Sequence, residues 1–159
     1  MFRLIYTSSQ SSSFDRLGFE QLCDTASRNN HAVGVGGLLL CNDLEFMQCL
    51  EGPHNAVASI YKRITQDSRH TDIRLLMSEP ASERLFNNWS MVGLAIKPRS
   101  VLSAEPIAYT LLDHRLYWPW KSLGTSAVDL MFEYAKVKSE LEKAGDTGPL
   151  SKVFEVYQP

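Results

Sequence analysis

The stretch Gly34-Val35-Gly36-Gly37-Leu38-Leu39-Leu40-Cys41-Asn42-Asp43-Leu44-Glu45-Phe46-Met47-Gln48-Cys49-Leu50-Glu51-Gly52 decides the fold. Residues 34–41 and 45–51 read as two strands, and Asn42-Asp43 between them suits a tight hairpin turn. In the second strand, alternation puts Phe46, Gln48 and Leu50 on one face and Met47, Cys49 and Glu51 on the other. An uncharged amide therefore stands between two large apolar neighbours.

Working outward, Pro53 suits a first helical position, and Val57, Ile60, Tyr61 and Ile64 follow at helical spacing, so a helix is expected to about Asp67. Upstream, residues 2–8 alternate, with Phe2, Leu4 and Tyr6 sharing one face. Ser12 and Asp15 resemble a capping box for a helix with the stripe Phe14, Leu17, Leu22 and Ala26, closing near Asn29-Asn30. Downstream, 72–79 reads as a fourth strand, 82–88 as a short helical turn and 90–97 as a fifth strand. The order βαββαββ fits an α+β, ferredoxin-like sheet with both helices on one face and one added strand. Beyond Pro98 the pattern is helical, over about 103–116 and 126–143. The second of these is apolar over a broad arc that must dock on the sheet or on another subunit. Tyr117-Trp118-Pro119-Trp120 between them reads as a packed corner between two helices, with a partner-binding patch as the alternative.

At 159 residues, 44% hydrophobic and 21% charged, the chain has the size and balance of one globular domain. Residues 1–100 carry ten basic and ten acidic side chains, and residues 101–159 carry six and eight, so there is no basic footprint for nucleic acid. Cys23, Cys41 and Cys49 lie in apolar segments without C-x-x-C spacing, which suits a reducing cytoplasm. Neither a signal peptide nor a membrane span is legible.

Enzymatic motifs are absent from the pattern. Gly34-Val35-Gly36-Gly37 lacks the spacing of a dinucleotide loop and leads into a strand. His31, His54, His70 and His114 are scattered, so no metal set is expected. What calls for an explanation is polar: Tyr6 and Gln48 point to the apolar sides of their strands, and Asn30 closes a helix. Burying such groups is unfavourable unless they are paired. A Tyr6–Gln48 hydrogen bond inside a core accounts for two of them. A planar heteroaromatic ligand accounts for all three, because amides both donate and accept and so match a ring edge that alternates carbonyl oxygens and nitrogens.

These residues carry a resemblance. Over about residues 2–97 the sequence resembles the BLUF domain, the family of blue-light sensors using flavin. The motifs recur in order: Arg3-Leu4-Ile5-Tyr6-Thr7-Ser8, Arg28-Asn29-Asn30, Gly37-Leu38-Leu39, Phe46-Met47-Gln48-Cys49-Leu50-Glu51-Gly52, Asp67-Ser68-Arg69-His70 and Phe86-Asn87-Asn88-Trp89-Ser90-Met91. The resemblance implies Tyr6 as the light-driven electron and proton donor and Gln48 as the switching amide. It implies Asn29 and Asn30, Arg69 and His70 around the flavin ring, with Ser8 near the tyrosine and Trp89 and Met91 on a signalling strand. Gly36 departs from the family's usual threonine.

FAD is the cofactor so implied; FMN also suits residues that address only the ring. Residues 1–97 would form the photosensor and 98–159 a helical extension that packs on it or makes oligomer or partner contacts. The residues after 100 are too few for a cyclase or phosphodiesterase domain, so the expected output is not enzymatic: a change of association with a separate effector protein or with further copies of the chain. Two other classes stand beside this reading: a light-insensitive ferredoxin-like module for another small ligand, and a flavin-dependent reductase, whose open nicotinamide face is not legible.

Overall fold

The computed structural model describes residues 1–11, 16–41, 44–86, 92–96, 128–129, 131–132 and 154–157. Among the described residues, the complete elements follow in the order β1 (Phe2–Gln10), α1 (Arg16–His31), β2 (Gly36–Cys41), β3 (Glu45–Gly52), α2 (His54–Ile64), β4 (His70–Pro80), β5 (Val92–Ile96) and β6 (Phe154–Tyr157). They form one sheet of order β4-β1-β3-β2-β5-β6. The four strands β4-β1-β3-β2 are antiparallel throughout, β5 runs parallel to β2, and β6 pairs antiparallel with β5. This is the ferredoxin-like arrangement expected from the element order. The sixth strand was not legible in a tail that reads as helical.

The alternation of β1 and β3 sorts the core. Leu4, Tyr6, Phe46 and Leu50 pack with Leu22 and Cys23 of α1 and Val57 and Ile60 of α2 in one cluster. Ile5, Met47 and Cys49, together with Leu38 and Leu40, are also buried, so the sheet is covered on both faces. Val128 and Met131 are buried, and the Phe132 ring lies 5.1 Å from the Arg3 guanidinium carbon, which brings part of the C-terminal segment onto the second face.

Several boundaries differ from the sequence pattern for identifiable reasons. The first helix runs past Asn29-Asn30 to His31, and neither asparagine is left-handed: the left-handed residue is Gly34, at φ 66°. The Asn30 carbonyl accepts from the Val33 and Val35 amides at 3.1 and 2.9 Å, which closes the turn without a left-handed asparagine. Pro53 sits at the N-cap rather than the first helical position, and α2 ends at Ile64, with Gln66 and Asp67 held by turn bonds to Arg63 and Ile64. Residues 82–83 and 85–86 are bends and no helical turn forms over 82–86, because the Leu85 and Phe86 amides donate to the Glu51 carboxylate. Gly37, at φ 152°, lies so close to β3 that a Cβ there would stand 1.9 Å from the Cys49 carbonyl oxygen.

The 12–15 capping box, the 42–43 turn, Trp89, Met91, the 103–116 helix and the 117–120 corner lie outside the described residues. Of the 126–143 helix, Val128, Asp129, Met131 and Phe132 are described, and all four are helical.

Candidate functional site

Register brings the polar residues together. Tyr6 of β1 stands directly opposite Gln48 of β3, both on the face covered by α1 and α2. The Tyr6 hydroxyl donates to Gln48 Oε1 at 2.6 Å, and the two residues are 0% and 4% exposed. Burial, with smaller contributions from Tyr61 and Asp67, pushes the Tyr6 phenol far above its ordinary pKa, so it is a neutral donor at physiological pH. Tyr61 of α2 lies beside it, ring centroids 5.5 Å apart.

Beside this pair a cleft opens between the two helices and the sheet, with about 680 Å³ of empty space including its mouth. Its apolar walls are Leu22 and Ala26 of α1, Ile60 and Ile64 of α2, and Leu39 below; its polar atoms come from Asn29, Asn30, Gln48, Arg63, Asp67, Arg69 and His70. Gln48 lines the cleft and Tyr6 stands behind it, so the amide lies between the phenol and whatever fills the space.

Asn30 supplies a second observation. Its side chain is buried, and Nδ2 has no hydrogen-bond partner. A buried N–H donor left unsatisfied costs about 1–3 kcal/mol, so such groups are kept where a ligand acceptor completes them.

At the other end, β4 begins two residues earlier than the alternation suggests and places His70 in the sheet. His70 Nδ1 is 2.8 Å from Ser8 Oγ. Burial lowers the His70 pKa to about 4, overriding the opposing pull of Asp67, and keeps the ring neutral. Asp67 accepts from the Arg69 backbone amide and from Arg69 Nε, each at 2.9 Å, and these bonds hold its carboxyl below the usual range. Thus Asn29, Asn30, Gln48, Arg69 and His70 meet around one space, with Tyr6 and Ser8 one layer behind.

Because His70 is harder to protonate when folded than at its ordinary value of 6.5, folding stability is full above about pH 6.5 and falls as the pH drops toward about 4. Thermal unfolding across this range is expected to show that slope in the wild type and a flatter one in His70→Phe. Equal slopes would contradict the assignment.

Arg63 and Asp67 line the cleft but were not picked out as site residues from the sequence. A signal existed for Arg63: it follows Ile60 by three positions, which turns a cation toward the buried stripe of α2.

Comparison with known proteins gives this geometry a family. The model of BLUF, sensors of blue-light using FAD, matches residues 1–92. The chain belongs to the BLUF family. Photoactivated adenylate cyclase subunit beta of Euglena gracilis is 37% identical over 118 residues, 69% of this chain and 14% of that protein. The blue light- and temperature-regulated antirepressor BluF of Escherichia coli is 40% identical over 72 residues, 45% of this chain and 18% of the relative. The chain therefore spans less than a fifth of the length of either protein.

Among solved structures, the dark state of the BLUF protein BlrB aligns with TM-score 0.58 and 27% identity over 81% of this chain and 94% of that one. A bacterial light-regulated adenylyl cyclase aligns with TM-score 0.65 and 26% identity, over 81% and 35%. The cleft suits the BLUF cofactor: apolar walls face each other across a space edged by amides, and the free Asn30 N–H group is a donor suited to a flavin carbonyl. No helix among the described residues is long and apolar enough to cross a membrane.

Proposed function

We propose that this chain is a blue-light photoreceptor whose response is a rearrangement of the Tyr6–Gln48 hydrogen bond. The observation that carries the reading is the 2.6 Å contact from a fully buried phenol to an amide that itself lines the cleft beside the unpartnered Asn30 donor. Asn29, Asn30, Gln48, Arg69 and His70 would hold the flavin ring, with Ser8 fixing His70 from behind. Arg63 supplies positive charge at the cleft suited to the phosphates of FAD, the cofactor we favour over FMN.

The flavin supplies absorption of blue light and, once excited, the capacity to accept an electron. Tyr6 is the electron donor. Its phenol is neutral at rest and becomes strongly acidic on losing an electron, so its proton moves along the existing bond to Gln48. When the electron returns, the proton returns to Tyr6, and Gln48 is left rotated or tautomerised, presenting a changed hydrogen-bonding edge to the cleft. The stored difference is a few hydrogen bonds, each worth about 1 kcal/mol net. A coupling of about 1–3 kcal/mol to a mobile element is enough to alter partner affinity several-fold to a hundredfold.

Residues 1–97 act as the sensor and 98–159 as the extension that makes oligomer or effector contacts, with Trp89 and Met91 carrying the signal between them. The output is association rather than catalysis, in a reducing cytoplasm, in keeping with three free cysteines.

Asn30→Leu tests the cofactor part. Removing the orphan donor is expected to leave the apoprotein as stable or up to about 1 kcal/mol more stable, while FAD affinity falls about tenfold. FAD titration followed by fluorescence, with urea unfolding of the apoprotein, reads both. Unchanged FAD affinity would remove Asn30 from the site, and absence of FAD binding in the wild type would overturn the reading.

A further inference from the structure

Three residues along the same two strands from Tyr6 and Gln48 lies a second directly opposed pair, Arg3 and Glu51. The alternation of the strands puts it on the other face of the sheet. Arg3 Nε donates to Glu51 Oε1 at 2.6 Å, and the side chains are 8% and 0% exposed. The Glu51 carboxylate also accepts the amides of Leu85, at 3.0 and 3.1 Å, and Phe86, at 3.2 Å. Arg3 Nη2 donates to the Glu83 carbonyl at 2.8 Å. On its other side the same guanidinium rests over the Phe132 ring. The buried ion pair, together with Arg84 donating to the Glu51 and Gly34 carbonyls at 3.2 and 2.6 Å, thus holds the segment ahead of β5, and its guanidinium touches the C-terminal segment as well.

A carboxylate satisfied by a guanidinium and two peptide amides depends strongly on geometry, because charge-assisted bonds are short and directional. Its two anchors sit on β1 and β3, the strands that also carry Tyr6 and Gln48. A shift of β3 against β1 that accompanies a new Gln48 arrangement changes the distances on which the 83–86 contacts depend. We propose that the buried Arg3–Glu51 pair is a latch: it holds residues 83–86 closed in the dark and releases them when the Tyr6–Gln48 pair rearranges. Arg3 and Glu51 are then positioning residues for the signal. This inference rests on the proposed photoreceptor function.

The test uses the full chain loaded with FAD and the double variant Arg3→Met/Glu51→Leu, because replacing both partners of a buried ion pair with apolar side chains is commonly tolerated. Amide exchange is measured in darkness and under blue light, with the absorption spectrum recorded in parallel. In the wild type, the Leu85 and Phe86 amides are expected to exchange about tenfold faster in the light, as their hydrogen bonds open. In the double variant they are expected to exchange fast in both conditions while the light-induced spectral shift stays intact.

A spectral shift in the wild type without any exchange difference at 83–86 would overturn the latch and leave the photoreceptor standing. The same holds if a light-dependent difference persists in the double variant. Absence of a spectral shift in the wild type would overturn both. Should the double variant not fold, the wild type decides alone: equal exchange of the Leu85 and Phe86 amides in darkness and light, beside an intact spectral shift, overturns the latch.

Discussion

Tyr6→Phe is expected to bind FAD as the wild type does and to show no red-shifted state after blue light. Tyr6 stands behind Gln48 rather than in the cleft wall, so the ring can lose its hydroxyl without changing the surface presented to the cofactor. The buried ring keeps its packing against Tyr61 and the apolar cluster, which limits the structural effect to one hydrogen bond of about 1 kcal/mol. Photochemically the loss is total, because a phenyl ring supplies neither the electron nor the proton. Steady-state absorption before and after illumination reads both halves. A red-shifted state of ordinary amplitude in Tyr6→Phe would remove Tyr6 as the donor.

Glu51→Leu is expected to have the largest effect on stability. It leaves the Arg3 guanidinium buried without its counter-ion and deprives the Leu85 and Phe86 amides of their acceptor. Breaking one side of a buried pair costs about 3–5 kcal/mol, which for a chain of this size lowers the thermal midpoint on the order of 10 °C. Adding Arg3→Met is expected to restore most of the loss, since the lone charge is then gone. Urea unfolding of the wild type, the single and the double variant measures this. A loss below about 1 kcal/mol in the single variant would contradict the description of Glu51 as the centre of a satisfied buried network.

How much of this was legible in the sequence follows from the period of each element. Strict alternation in β1 and β3 placed Tyr6, Gln48, Leu4 and Leu50 on one face, and the structure puts them there because a one-residue slip would invert every side chain. The 57, 60, 61 and 64 spacing likewise located α2. Terminal positions were less legible, since tertiary partners override local preference there. Glu51 takes the amides that a helical turn at 82–88 would have used internally, and Asn30 closes its helix through its own carbonyl while Gly34 takes the left-handed position.

Of the cleft's polar members, Gln48 was legible as an amide on an apolar strand face and Asn30 as a helix-closing residue, whereas Asn29, Arg69 and His70 followed only from the family resemblance; their meeting at one space depends on the crossover that brings the end of α1 beside the end of α2. Arg63 and Asp67 escaped because a cation and a carboxylate at and just after the end of an amphipathic helix look like residues of its solvent face. Nor did alternation alone reveal the Arg3–Glu51 pair: its function depends on a segment more than thirty residues downstream of Glu51.

The most direct measurement is the absorption spectrum of the FAD-loaded chain in darkness, immediately after blue light, and again after return to darkness. A flavin band that moves to longer wavelength without bleaching and then recovers is the expected result, since only hydrogen bonds to the ring have changed. A band that stays in place, or one that bleaches without shifting, would contradict a response stored in the Tyr6–Gln48 pair.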